Sequence, residues 1–88
     1  MCRSIRPLFN FDPPATDEET HAAALQFVRK VAGTRKPSKA NESLFDDSVE
    51  EIAAITRKLV DGMTTKAPPK NRDDERRKAR ERFAKRRP

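Results

Sequence analysis

Thr16-Asp17-Glu18-Glu19-Thr20-His21-Ala22-Ala23-Ala24-Leu25-Gln26-Phe27-Val28-Arg29-Lys30-Val31-Ala32-Gly33 is the stretch whose reading decides the fold. It opens on a capping box. The Thr16 hydroxyl can accept from the amide of Glu19, and the Glu19 carboxylate can reach back to the amide of Thr16. Asp17 and Glu18 add negative charge where the helix dipole favours it. Ala24, Phe27, Val28 and Val31 then follow the i, i+3, i+4, i+7 spacing of one buried face, widened by Leu25 and Ala32. Gly33 is the expected left-handed stop. The stretch predicts a helix over about 16–32.

Downstream, Thr34 to Ala40 is a connector too long and too basic for a helix-turn-helix turn. A second helix over about 41–62 starts from Ser38 or Asn41, either of which can cap it. Phe45, Val49, Ile52, Ile55, Leu59 and Met63 form its stripe, with Leu44 and Val60 at the edges. Acids crowd its front half and Arg57 and Lys58 its back half, the order the dipole favours. Gly62 ends it or nearly so. Upstream, Pro7, Pro13 and Pro14 forbid a continuous helix. Leu8-Phe9-Asn10-Phe11 is too apolar to stay in water, so the lead-in is expected to pack over the helices.

After Lys66-Ala67-Pro68-Pro69-Lys70, a stiff linker, the composition changes. The last nineteen residues, Lys70 to Pro88, hold ten Lys/Arg against four Asp/Glu, while residues 1–69 hold ten of each. The whole net charge of +6 therefore sits on this arm. Asn71 can cap a third helix. Asp73 to Arg77, Asp74 to Lys78 and Glu81 to Lys85 are i, i+4 pairs in the favourable order, each worth ~0.2–0.5 kcal/mol. The expected fold is all-α: an αα-hairpin with an extended N-terminal segment packed on it and a separate charged C-terminal helix. The expected organisation is a small helical domain over 1–65, the linker at 66–70 and a cationic helical or disordered tail over 71–88.

Composition excludes several function classes. No apolar run approaches the ~20 residues of a membrane span, so no membrane partner is expected. Arg3 and Arg6 precede no apolar stretch, so the start is not a secretory signal and the expected location is cytoplasmic. Cys2 is the sole cysteine and His21 the sole histidine, which rules out an internal disulfide and leaves no metal site. Cys2 reads first as a small apolar anchor for the lead-in, with a reactive thiol as the alternative. Asp46, Asp47, Glu50 and Glu51 read as the solvated face of an amphipathic helix, not a paired-carboxylate centre. Two helices leave no room for a pocket of ordinary ligand size, so neither enzyme nor cofactor is expected.

The arm carries the functional signal. Arg72, Arg76, Arg77, Lys78, Arg80, Arg82, Lys85, Arg86 and Arg87 ring its helix, and with Lys70 they give ten cations along ~28 Å. Arginine predominates, and its planar fork suits bidentate phosphate contact. Phe83 among these charges can stack on a base. Arg29, Lys30, Arg35, Lys36 and Lys39 form a second cluster at the exit of the first helix. These residues point to non-catalytic nucleic-acid binding, RNA or ribosome ahead of DNA. The competing reading is a protein-interaction adaptor whose hairpin binds a protein partner and whose tail only solubilises. A homodimer is a further expected partner state, since cores this small bury more by association.

Met1-Cys2-Arg3, Phe9-Asn10-Phe11, Pro13-Pro14-Ala15-Thr16, Ala22-Ala23-Ala24-Leu25-Gln26-Phe27-Val28-Arg29-Lys30 and Pro37-Ser38-Lys39-Ala40-Asn41 resemble a family of short bacterial proteins. The family is known as domain of unknown function 2277 and is common in actinobacteria. The likeness covers about residues 1–65 and is loose beyond Pro69. It implies a bacterial cytoplasmic protein whose residues 1–65 act as one unit, and it assigns no functional residue.

Overall fold

The capping box forms as read: the Glu19 amide donates to the Thr16 hydroxyl at 3.2 Å, and the Thr16 amide donates to Glu19 Oε1 at 3.0 Å. The computed structural model describes residues 4–86, and helix α1 spans Asp17–Ala32. Gly33 closes it at φ 74°, and the amides of Gly33 and Thr34 both bond the Arg29 carbonyl, at 3.0 and 3.2 Å. Glycine takes that backbone without a Cβ penalty, and the paired bonds satisfy the last turn.

Helix α2 spans Glu42–Gly62, after a short 3₁₀ turn at Lys39–Asn41. The cap expected of Ser38 or Asn41 is not made. The 3₁₀ turn takes its own backbone bond from the Asn41 amide to the Ser38 carbonyl at 3.0 Å, and the two side chains bond each other at 3.3 Å. Helix α3 spans Arg72–Arg86. Its start is capped as expected, with Asn71 Oδ1 accepting from the amides of Asp73 and Asp74 at 2.9 and 3.1 Å. The all-α reading holds, since α1 and α2 pack as an antiparallel hairpin and the only sheet among the described residues is a two-residue pairing.

That pairing was not expected. Strand β1, Phe11–Asp12, lies parallel to β2, Lys70–Asn71, with Phe11 opposite Lys70 and Asp12 opposite Asn71. Asn10 prepares it. At φ 66° it occupies the left-handed region that asparagine tolerates. Its carbonyl accepts from the Lys70 amide at 2.8 Å, and its Nδ2 donates to the Ala67 and Pro68 carbonyls at 3.4 and 3.1 Å. The prolines strip donors from the linker, leaving carbonyls for Asn10 to collect. The linker is thus held against the lead-in.

The core is small. Ala24 and Val28 of α1 meet Phe45 and Val49 of α2, with Leu25, Ile52 and Ala53 half-buried beside them. Leu8 and Ala15 of the lead-in are buried too, as its apolar character required. Thr20 joins this interior, its hydroxyl bonded to the Asp17 carbonyl at 2.9 Å. The expected faces need correction. Phe27 is 47% exposed and Val31 72%, so the buried line of α1 is Thr20–Ala24–Val28, turned away from the bulkier pair. Small side chains at the crossing let the two helices approach closely, which places Phe27 at the edge of the contact. The rear of the α2 stripe, Ile55, Leu59 and Met63, is exposed for want of a third helix above it.

Arg57 ties the hairpin to the lead-in. It donates from Nη1 to the Ala15 carbonyl at 2.8 Å and from Nε to Asp61 Oδ2 at 2.9 Å, and it lies 3.6 Å from Asp17. Asp61 holds the Arg57 pKa up, and Arg57 holds the Asp61 carboxyl below its ordinary value.

Candidate nucleic-acid interface

Glu19, in the first turn of α1, ends where the lead-in, the linker and α3 converge. Arg72 grips it with a two-pronged contact: Nη1 donates to Oε2 at 2.8 Å and Nη2 to Oε1 at 2.9 Å. Arg72 Nε donates to the Pro13 carbonyl at 2.9 Å, which leaves this guanidinium few unused donors. Arg6 adds a third contact to Glu19 Oε2 at 3.2 Å. With Arg72 first, then the Thr16 amide and the nearby positive charges, the Glu19 carboxyl is lowered from 4.5 to about 2. Burial opposes this and loses. In return Glu19 holds the Arg72 pKa up.

Phe11 lies under this cluster, with Lys70 Nζ 5.7 Å and the Arg72 guanidinium carbon 5.5 Å from its ring centre. Both distances are within cation–π range. Arg6, Pro7, Phe11, Glu19, Lys70, Arg72, Glu75, Arg76, Ala79 and Arg82 enclose a hollow of about 320 Å³. Its wall carries the cations Arg6, Lys70, Arg72, Arg76 and Arg82 against the acids Glu19 and Glu75. The expectation that two helices leave no pocket fails here because α3 and the lead-in supply walls of their own. An aromatic floor beneath excess positive charge suits an anion joined to a flat group.

The cations singled out in the sequence fall into three situations. Arg72 is committed to Glu19 and Pro13, so it anchors the arm rather than reaching outward. Arg76, Arg77 and Lys78 pair within α3, with Asp73 at 3.8 Å, Glu81 at 3.0 Å and Glu75 at 3.7 Å. These are not the Asp73–Arg77 and Asp74–Lys78 pairs expected, because i+3 and i+4 neighbours are equally within reach on a helix. Arg80 and Arg82 are exposed and make no ion pair among the described residues. Phe83 is exposed on the same helix. The side chains of Lys85 and Arg86 lie outside the described residues, as do Arg87 and Cys2.

The second cluster sits elsewhere. Arg29, Arg35, Lys36 and Lys39 line an open hollow of about 810 Å³ at the α1–α2 connector, with Glu42 and Asp46 also in its wall. Arg29 is pinned there by a 3.1 Å bond from Nε to the Arg35 carbonyl. Ten residues of helix, ~15 Å, separate Glu19 from Arg29, so the two clusters bracket α1 and do not merge. Lys30 is exposed and does not line this hollow, but it borders an adjoining one together with Arg29 and Arg35. His21 is half-exposed, 3.5 Å from Glu50. No group of three or more metal-ligating side chains occurs among the described residues.

Sequence reading missed Arg6, Phe11, Glu19 and Lys70 as parts of one site. Glu19 was legible only as a cap, and nothing local marks a pairing between residues 10–13 and 67–72. The chance to find it lay in Asn10: an asparagine inside an apolar triplet has a polar side chain that needs a partner.

No helix among the described residues is long and apolar enough to cross a membrane. No curated protein and no solved structure matches the chain. One family profile does, that of the uncharacterized conserved protein DUF2277, over residues 1–78. That span runs beyond the 1–65 likeness read from the sequence and takes in the clasp at Lys70 and Arg72. The chain therefore belongs to the DUF2277 family.

Proposed function

We propose that this protein binds nucleic acid without catalysing a reaction, RNA or ribosomal surfaces ahead of DNA, in a bacterial cytoplasm. The observation that carries the reading is the placement of charge. The whole net charge of +6 sits from Lys70 onward, on a helix whose Arg80 and Arg82 face water. Arg72 fixes the root of that helix, so its cations project from a set origin. The hollow at the root offers positive charge over the Phe11 ring, a combination suited to one nucleotide of a single strand. The cations at the α1–α2 connector give a second contact for a longer strand.

Full-length protein titrated with single-stranded RNA and duplex DNA at graded salt tests this. Affinity is expected to fall as salt rises, with log–log slopes of about −0.7 per phosphate neutralised on single strands and −0.9 on duplex. Changing Arg76, Arg80 and Arg82 together to Gln is expected to flatten the slope and leave the Glu19–Arg72 clasp intact. Phe83→Ala is expected to weaken single-stranded binding and spare duplex. Absence of binding at low salt, where attraction is strongest, would remove the reading.

The exposed apolar side of the hairpin favours a second reading, an adaptor that binds a protein partner while the arm solubilises. It predicts nucleic-acid affinity that the arginine substitutions barely change, and a protein that co-purifies equally with and without nuclease.

A further inference from the structure

The hollow at the exit of α1 has no carboxylate in its wall. It holds about 530 Å³ and takes its charged and amide donors from Gln26, Arg29, Lys30 and Arg35. By contrast, the hollow at the root of α3 is walled in part by Glu19 and Glu75, and the one at the connector by Glu42 and Asp46. Arg29, Lys30 and Arg35 make no ion pair among the described residues, so three positive charges here lack an internal counterion. Two of the four donors are aimed in advance. Gln26 Oε1 accepts from the amides of Ser4 and Ile5, at 2.7 and 3.2 Å, which fixes Nε2 as the atom left to donate. Arg29 is held through Nε by the Arg35 carbonyl at 3.1 Å, which leaves its two terminal nitrogens for a ligand. At about 100° per residue, Gln26, Arg29, Lys30 and Gly33 fall within roughly 100° of arc on one side of α1. Gly33 leaves room there, since nothing lies within 4 Å of where a Cβ would stand.

We infer that this hollow binds a phosphomonoester group, whether at the end of a nucleic-acid strand or on a free small molecule. Charge and geometry both point there. A phosphomonoester carries about −1.5 to −2 charges at pH 7 and three strong acceptor oxygens, whereas a carboxylate brings a single charge and two oxygens. An internal phosphodiester brings a single charge as well. Three unpaired cations match the larger charge, and four donor side chains match the larger number of oxygens. Arginine forks take phosphate oxygens in pairs. Because Gln26 and Arg29 are already held, less order has to be imposed when the ligand arrives. The negative end of the α1 dipole lies here too, but it amounts to about half a charge against three cations. The site does not depend on the arm. It sits ~15 Å along α1 from Glu19 and the root of α3, and it calls for a phosphate end where the arm calls for internal phosphates.

Calorimetric titration of the nuclease-treated full-length chain with inorganic phosphate, in a phosphate-free buffer at low salt, tests the inference. Saturable binding is expected. Gln26→Glu keeps an oxygen for the Ser4 and Ile5 amides and replaces the donor with a repelling charge. It is expected to keep the wild-type melting temperature and to weaken phosphate binding about tenfold or more. Arg35→Gln leaves the backbone carbonyl that holds Arg29, is expected to weaken binding severalfold, and still reads out if Gln26→Glu unfolds. Ala54→Glu adds the same charge at an exposed position of α2, roughly 140–180° round that helix from Phe45 and Val49 and so away from α1. It is expected to change binding by less than about twofold. One RNA sequence with a 5′-phosphate, a 3′-phosphate or hydroxyl ends then separates the sources. A preference for a phosphorylated end that Gln26→Glu removes supports the site and identifies strand ends as its source. Equal binding of all three, with inorganic phosphate still taken up through Gln26, supports it with free phosphomonoesters as the source. No phosphate binding, or equal losses from Gln26→Glu and Ala54→Glu, overturns the inference without touching the salt dependence of the arm.

Discussion

Glu19 serves three masters: it closes the capping box of α1, receives the Arg72 fork and meets Arg6. Its pKa in the folded chain, about 2 against 4.5, is depressed. The contribution is therefore fully present above pH ~4.5 and is lost as pH falls through about 2, because protonation removes the acceptor charge the arginines bind. Its side chain is 16% exposed. After allowance for solvent screening the contribution is about 1–2 kcal/mol. Denaturant melts of wild type and Glu19→Gln should therefore differ at pH 7 and converge between pH 4.5 and 2. A difference that stays constant over that range would show the ion pair to be energetically idle. Asn10 makes a sharper case, because its backbone and its side chain can be separated. Asn10→Gly keeps the left-handed backbone and loses two side-chain hydrogen bonds. Asn10→Ala loses both bonds and strains φ 66° as well. The alanine variant should be the less stable of the two, by about 0.5–1 kcal/mol net of glycine's greater chain entropy. Equal melting points would mean the turn relaxes without strain.

At the scale of elements, the apolar stripes divide by depth. Phe45 and Val49 are buried between α1 and α2, whereas Phe27 stands at the margin. Phe45→Ala should cost about 3–5 kcal/mol, enough to unfold much of so small a domain. Phe27→Ala removes a ring already half in water and should cost clearly less in the single chain. Thermal melts of both variants check the ranking, and a Phe27 effect equal to that of Phe45 would contradict the packing. Arg57 matters at this scale as well, because it joins Ala15 and Asp17 at the head of α1 to Asp61 near the tail of α2. A helix pair of antiparallel sense has only its loop to hold one end in place, and Arg57 secures the other.

For the whole molecule, the question is whether the arm is an appendage or a part of the fold. The expected division at residue 66 cuts just before the Ala67 and Pro68 carbonyls that Asn10 holds and before Arg72. Residues 1–66 alone should stay helical, since α1 and α2 keep their contacts. They should melt below the full chain, with Arg6 left as the charged partner of Glu19. Residues 1–78, the span the family profile matches, should recover the loss by restoring the clasp. Equal melting of all three lengths would show that the clasp adds nothing to stability. Nucleic-acid affinity should behave differently: 1–78 keeps the root hollow of α3 except Ala79 and Arg82, but loses Arg80 and Arg82 and so most of the steep salt dependence.

What the sequence determined by itself was local. The capping box at Thr16 and Glu19, the stop at Gly33, the extent of α2 to Gly62 and the Asn71 cap of α3 each depend on residues within one turn, where composition and spacing act directly. The arm's charge was equally plain, since it needs only counting. Three matters were left to the tertiary structure. Which of the apolar residues of α1 are buried depends on the size of what faces them, and Thr20 and Ala24 win over Phe27 because close approach favours small side chains. Whether an acid is only a cap or also an anchor depends on a partner 53 residues away, as Glu19 and Arg72 illustrate. The parallel pairing of Phe11 with Lys70 depends on how far the hairpin returns the chain toward its start, a distance no window of sequence contains. Contacts between distant residues are chosen by the three-dimensional path of everything between them, and that path exists only once the helices have packed.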